Sequence, residues 1–459
     1  MGRVQQFCGL AATTVFALLM SGCALFNSGP GNGGGGGGGG GKGGGSGDIT
    51  AVNHIIFMAQ ENRSFDTYFG KLNDYRAAQG LPQEVDGMPA NASNPADDGS
   101  MIHAFHFNTT CIENTSAAWA TSHINFNRFN SSSDTPTMDG FVVEAAAAAK
   151  FQGSNDTTGI RAMGFYNSDD LISHYFLATQ FAVSDRWFAP APIETEPNRM
   201  YLVAATSVGH AHAPQTPVNA PTIFDRLDQK GISWKIYISD PQLDTEMGFF
   251  QGFTSKHSDK FVPISQYFTD VQNGTLPSVA YIDPGFTIGA DEHPGKGNNI
   301  QTGAAFLTSI IKALIQSQSW KDSVFIMVFD EHGGLYDHVP PPTNVPSPDG
   351  ITPQDLFPPD PKTGDPGDPQ GNFTRYGFRI PNLIVSPFTR KHYVSHTVTD
   401  STAILKFIET RFGLQPLTNR DALAMDMREF FTFDNPPWAT PPVVPDQPVQ
   451  AGRCTDTLP

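Results

Sequence analysis

Val324-Phe325-Ile326-Met327-Val328-Phe329 runs without interruption into Asp330-Glu331-His332-Gly333-Gly334. Six apolar residues rich in Val, Ile and Phe, with no helical period, predict a strand buried on both faces. The strand stops on two adjacent carboxylates, a histidine and two glycines. In open α/β sheets the ligand crevice lies outside the carboxyl ends of the strands. Two charges placed there are costly to desolvate unless a cation, most simply a metal, accompanies them. The bland alternative is a solvated strand end. His54-Ile55-Ile56-Phe57-Met58-Ala59-Gln60, ending on Glu61-Asn62-Arg63-Ser64-Phe65-Asp66, shifts the balance. Two apolar strands far apart in sequence, each ending in oxygen donors, can deliver those donors to one edge of one sheet.

Outward from these strands the pattern repeats. Phe181–Asp185, Trp234–Ser239, Val279–Ile282 and Asn382–Ser386 read as further strands, and Asp139–Lys150, Ser168–Gln180, Ile300–Gln316 and Ser401–Phe412 as helices. Alternating strands and helices indicate an α/β fold, a mostly parallel central sheet with helices on both faces. Lys71 to Gly140 and Pro340 to Gly371 are rich in Asn, Asp, Pro and Gly and read as long loop insertions, the second a candidate lid. In Ala189–Tyr201 a Pro-rich loop presents Thr195, Asn198 and Arg199 before an apolar helix candidate from Met200 to Ser207. A Thr at that place is ordinarily a helix cap. Its oxygen could equally face an anion site beside a metal and attack phosphorus.

The N-terminus reads differently. Residues 1–22 hold one Arg, an apolar run from Leu10 to Met20 and small residues before Cys23, the layout of an export signal and too short for a comfortable membrane span. Ser21-Gly22-Cys23 resembles a bacterial lipoprotein cleavage box, with Met20 in place of the usual Leu. That makes Cys23 the candidate lipid carrier and anticipates an exported protein, in the periplasm or at the cell surface, anchored to a membrane. Residues 23–47 are largely glycine, a flexible tether. Residues 48–433 form the globular body, about 410 residues with the Pro-rich tail 434–459, enough for one large domain. Of four cysteines, Cys111 and Cys454 remain as a pair, and in an exported protein they are expected to form a disulfide pinning the tail. With 45 acidic and 28 basic residues, the chain lacks the basic surplus that nucleic-acid binding needs.

Four stretches carry a specific resemblance: Glu61–Asp66 with Tyr68-Phe69-Gly70, Thr195-Glu196-Pro197-Asn198-Arg199, Asp291-Glu292-His293-Pro294, and Asp330–Gly334 with Tyr336-Asp337-His338. Over about Asn53 to Leu414 the chain resembles the bacterial phosphoesterase family of phosphatidylcholine-type phospholipases C and related acid phosphatases, within the alkaline-phosphatase-like superfamily. The resemblance implies one divalent metal, its identity open, held by Glu61, Asn62, Thr195, Asp330 and Glu331. It implies Thr195 as nucleophile, with His293 and an upstream histidine on the phosphoryl oxygens. His123 is assigned that upstream role, with His103 and His106 as rivals, because the family's His-Ser-Trp run reads Ala117-Ala118-Trp119 here. Asn198 and Arg199 are candidate substrate ligands, although Arg63 and Arg199 also suit structural ion pairs. His332 and His338 are candidate supports of the metal carboxylates. The expected substrate is a phospholipid or a soluble phosphomonoester. The alternatives are a non-catalytic surface lipoprotein binding metal or carbohydrate, and a sulfatase or phosphonate hydrolase, whose usual nucleophile pattern around Cys or Ser is absent.

Overall fold

The computed structural model describes residues 48–240, 245–295, 297–362, 366–455 and 458. The signal segment, Cys23 and the tether lie outside the described residues. Eight strands form the central sheet: β1 His54–Gln60, β2 Ala182–Ser184, β3 Trp234–Ile238, β4 Phe261–Pro263, β5 Val279–Asp283, β6 Ser323–Phe329, β7 Asn382–Val385 and β8 Tyr393–Ser395. Their order is β8-β2-β7-β6-β1-β5-β3-β4. All seven residues of β6 and six of the seven in β1 are buried, so both faces at the sheet centre are covered. That is what continuous Val/Ile/Phe runs produce.

The sheet is parallel except at β7, which runs antiparallel to both β6 and β2. Parallel pairing of β6 with β1 sets Phe329 opposite Gln60. The next residues, Asp330 and Glu61, therefore leave the sheet side by side. β5 pairs with the other edge of β1, Ile282 opposite Met58, and ends on Asp283. Three strands thus deliver carboxylates to one edge.

The helices used below are α1 Phe65–Phe69, α2 Trp119–Phe126, α3 Phe141–Gln152, α4 Ile172–Gln180, α5 Thr195–Ala204, α6 Ile300–Ile315 and α7 Thr402–Phe412. In α6, Ile300, Ala304, Leu307, Ile311 and Leu314 are buried, spaced along one helical face. The Asn299 side chain accepts from the Gln301 backbone N–H at its start, a helix cap.

Two expectations need amendment. The helix after the Pro-rich loop begins at Thr195 rather than Met200; Pro197 is no obstacle, because first-turn N–H groups have no intrahelical partner. The stretch from Lys71 to Gly140 is not all loop, since Leu72–Ala78 and α2 are helical and Ser93–Pro95 pairs with Met101–His103. α2 was hidden because its buried face includes Ser122, His123 and Asn125, which break the apolar period. The edge strand β4 ends on Pro263, a residue tolerated only at such edges.

The tail lies along the body. Trp320 Nε1 donates to Trp438 O at 2.9 Å, and Gln447 Nε2 donates to Asp170 O at 2.9 Å. Cys454 is joined to Cys111 with their Cα atoms 4.8 Å apart. No helix among the described residues is long and apolar enough to cross a membrane.

Candidate active site

The loops after β1 and β6 are laced together before any side chain meets substrate. Asp330 N–H donates to Gln60 O at 3.0 Å and Arg63 N–H to Glu331 O at 3.0 Å. Asp330 Oδ1 accepts from the backbone of Asn62 at 3.0 Å and of Glu331 at 2.7 Å. Asn62 sits at φ 61°, a left-handed conformation that costs energy outside glycine. The Gly-Gly turn is explained by proximity. A Cβ on Gly333, at φ +66°, would lie 2.3 Å from Asn62 O, and one on Gly334 would lie 2.4 Å from Ser116 O.

The third loop brings Thr195. Its position as the first residue of α5, after Glu194 at the cap, removes the helix-cap reading, and no side-chain cap bond is made there. Instead the Thr195 hydroxyl donates to Asn62 Oδ1 at 3.2 Å. Two segments 133 residues apart thus meet at the crevice, with the hydroxyl at a helix N-terminus suited to anions.

Asn198 and Arg199, candidates for substrate contact, are otherwise engaged. Asn198 Nδ2 donates to Ile193 O at 2.8 Å and its Oδ1 accepts from Ala191 N–H at 3.1 Å, fixing the loop ahead of the helix. Arg199 spans the crevice: Nη2 lies 3.0 Å from Glu61 Oε1 and Nε 3.2 Å from Asp330 Oδ2. On its far side Nη1 lies 3.8 Å from Asp283 Oδ1 and 3.9 Å from Glu246 Oε2.

The electrostatics are lopsided. Burial raises Glu61, pushes Asp330 up to about 6 and holds Glu331 well above the carboxylate range, where the Asp330 charge adds to the effect. Burial with the Glu194 charge takes Glu196 to about 7, and burial with the Glu61 charge takes Asp291 to about 8. Asp283 is likewise raised, by burial and then Glu246. Arg199 is the cation paired with both Glu61 and Asp330. Buried carboxylates lifted in this way are the condition a bound cation relieves. The oxygen donors of Glu61, Asn62, Asp330 and Glu331 suit a hard or borderline divalent ion, so the residues present fit a metal.

The histidines separate by place. His293 Nε2 lies 3.9 Å from Glu61 Oε2, and its Nδ1 is buried with no hydrogen-bond partner among the described residues. Burial lowers it to about 4, leaving a neutral ring at the crevice. His332 Nδ1 lies 3.5 Å from Glu331 Oε2 and burial lowers it to about 3, the placement of a neutral support for that carboxylate. The His123 ring lies 4.3 Å from that of Trp119, tilted by 34°, with its Nδ1 2.7 Å from Trp119 O. Its charged neighbours are Arg375, Asp368 and Asp134 rather than the crevice carboxylates. Of its rivals, His103 is exposed and His106 is held by Asp170 at 2.7 Å.

His338 supports a different carboxylate from those expected. Its Nδ1 lies 2.7 Å from Asp66 Oδ2 and its Nε2 3.1 Å from Asp86 Oδ1. Asp66, Asp337 and His338 bring one donor atom each within 4.8 Å of one another, a grouping that could also hold an ion. Arg379 already balances it, at 3.0 Å from Asp66 and 2.8 Å from Asp337. Glu246, beside a residue run with no motif, had no sequence signal. Asp283 had a weak one, as the polar residue ending an apolar strand.

The chain belongs to the Phosphoesterase family, whose model matches residues 52–415. It is therefore a phosphoric ester hydrolase. It is 30% identical over 436 residues to phospholipase C B of Mycobacterium tuberculosis, covering 85% of this chain and 80% of that one. It is 30% identical over 422 residues to non-specific phospholipase C1 of Arabidopsis thaliana, covering 86% and 74%. A solved protein of the alkaline phosphatase superfamily from Vibrio parahaemolyticus aligns over 77% of this chain and 78% of that one at 13% identity and a TM-score of 0.35, too distant to add to the strand order above.

Proposed function

We propose that the chain is a metal-dependent phospholipase C that cleaves its ester through a phosphothreonine on Thr195. The observation that carries this is the Thr195 hydroxyl on Asn62 Oδ1, at a helix start beside the Glu61–Asp330–Glu331 crevice. Glu61, Asn62, Asp330 and Glu331, with the Thr195 oxygen, would hold one divalent ion. Such an ion, when bound, favours the threonine alkoxide and neutralises charge on the phosphoryl group. Thr195 Oγ attacks phosphorus and the bond to the leaving alcohol oxygen breaks. The neutral His293 ring takes the proton that Thr195 Oγ sheds and passes it to the leaving alcohol oxygen; it then takes one from the water that attacks the phosphothreonine and returns it to Thr195 Oγ as the phosphate leaves. Arg199 holds Glu61 and Asp330 in place, and Asn198 holds the loop that presents Thr195.

Phospholipid is favoured over soluble monoester by the relatives, which are named phospholipases C. The same reading has the protein exported and held at a membrane by an acyl chain on Cys23. The test is a release assay on phosphatidylcholine vesicles and on a soluble p-nitrophenyl phosphodiester, with and without chelator. Thr195→Ala is expected to lower kcat by about three orders of magnitude or more at unchanged melting temperature. Near-normal turnover in that variant, or turnover indifferent to chelation and metal return, overturns the mechanism.

A further inference from the structure

The loop from Pro284 to Ala290 joins the end of β5 to the Asp291–His293 segment, so it begins and ends at the crevice. Asp283 Oδ1 is 3.8 Å from Arg199 at one end, and Asp291 O accepts from Glu61 N–H at 2.8 Å at the other. Two of its side chains are apolar and open to solvent, Phe286 at 43% and Ile288 at 55% exposure. The loop is nonetheless fastened. Ala290 N–H donates to Gly285 O at 2.9 Å and Gly289 N–H to Phe286 O at 3.1 Å. Thr287, between the two, bonds Asp240 Oδ2 through its N–H at 3.0 Å and through its hydroxyl. Anchoring the middle residue inward holds its neighbours out. Exposed apolar side chains such as Phe129, Leu423 and Val443 occur elsewhere, and scattered ones need no explanation. Phe286 and Ile288 differ in being paired, held by a buried carboxylate, and set at the reacting groups, with the Phe286 ring 5.1 Å from that of His293.

We propose that this loop is where the enzyme docks on its substrate surface: Phe286 and Ile288 enter the headgroup boundary of a zwitterionic lipid layer and seat the crevice over a phosphodiester. The proposal rests on the reading that the substrate is a phospholipid. Interfacial attachment scales with apolar area entering the layer and with charge attraction. Here the charge term opposes anionic lipid, because Asp240 and Glu246 lie at the base of the loop and the chain's net charge is −17. Zwitterionic phosphatidylcholine presents no such penalty.

The test uses the full chain carrying Cys23→Ser, so that no acyl chain contributes to binding. In that background Ile288→Trp reports insertion directly, by a blue shift of the emission it adds to the parent spectrum and by quenching with brominated phosphatidylcholine. Ile288→Asp is expected to lower the vesicle-bound fraction by about tenfold, with kcat/KM on the soluble phosphodiester within about twofold of the parent. Phosphatidylglycerol vesicles are expected to bind less than phosphatidylcholine vesicles. An unshifted added emission from the Ile288→Trp variant at saturating vesicles, undiminished binding by Ile288→Asp, or stronger binding to the anionic vesicles overturns the docking role. Because emission and sedimentation need no turnover, they stand apart from a failure of the phospholipase reading, which would show as a parent enzyme inactive on both substrates.

Discussion

Gly333 stands where the loops after β6 and β1 nearly touch. A methyl there would have to push Asn62 O back from 2.3 Å, and φ +66° would be strained besides. The left-handed conformation alone costs a substituted residue about 1–2 kcal/mol. Because the displaced atom belongs to Asn62, which receives the Thr195 hydroxyl, Gly333→Ala should lose proportionally more kcat than stability. Steady-state kinetics beside a thermal melt measure both, and a variant whose activity tracks its melting temperature would contradict this. Glu61, Asn62, Asp330 and Glu331 were legible because each follows an apolar run that could only be a strand. Arg199 was legible as a charge, but its engagement with Glu61 and Asp330 depends on a strand register that its own neighbours do not encode. That His123 packs on Trp119, with Arg375, Asp368 and Asp134 as its charged neighbours, was equally unreadable, since the α2 sequence gives no sign of which way the helix faces.

Helix α7 carries the clearest pH consequence at the level of an element. Its Glu409 is 3% exposed, and burial, with Asp421 beside it, lifts its carboxyl to about 9. The folded protein therefore holds a proton that the unfolded chain releases near the usual carboxyl range. The contribution is fully present below about pH 4.5 and is lost as pH rises through about 9, at a slope of at most about 1.4 kcal/mol per unit. Glu409→Gln should remove that slope and raise the melting temperature most at alkaline pH. Melts of parent and variant across about pH 5–9 that run parallel would count against it. Six of the eight strands, with α6 and α7, lie within a few residues of where the sequence pattern puts them; the short edge strands β4 and β8 were not anticipated. The reversal of β7 was not readable, because an apolar run has no arrow in it. The start of α5 was misplaced for a related reason: Pro197 looks like a boundary, although in a first turn it is none.

For the molecule as a whole, the Cys111–Cys454 bond closes a separation of 343 residues. Loop-closure entropy on that scale corresponds to about 5–6 kcal/mol in the chain-entropy model, an upper figure. Reduction, or Cys454→Ser, is expected to lower the melting temperature by several degrees while leaving kcat on a soluble ester unchanged, since neither sulfur touches the crevice carboxylates. An unchanged melt would remove the bond from the stability of the fold. This pairing was readable from cysteine number and the expectation of export, whereas the path of the tail over Trp320 and Asp170 was not.

The backward run of β7 has a practical corollary for anyone wishing to graft new sequence into this chain. A strand that travels against its neighbours enters where they exit, so Arg379, just ahead of β7, arrives among Asp66 and Asp337 at the working edge. Added residues between Gly371 and Arg379 would therefore disturb the chemistry, whereas the same addition after Val385 falls at the idle end of the sheet.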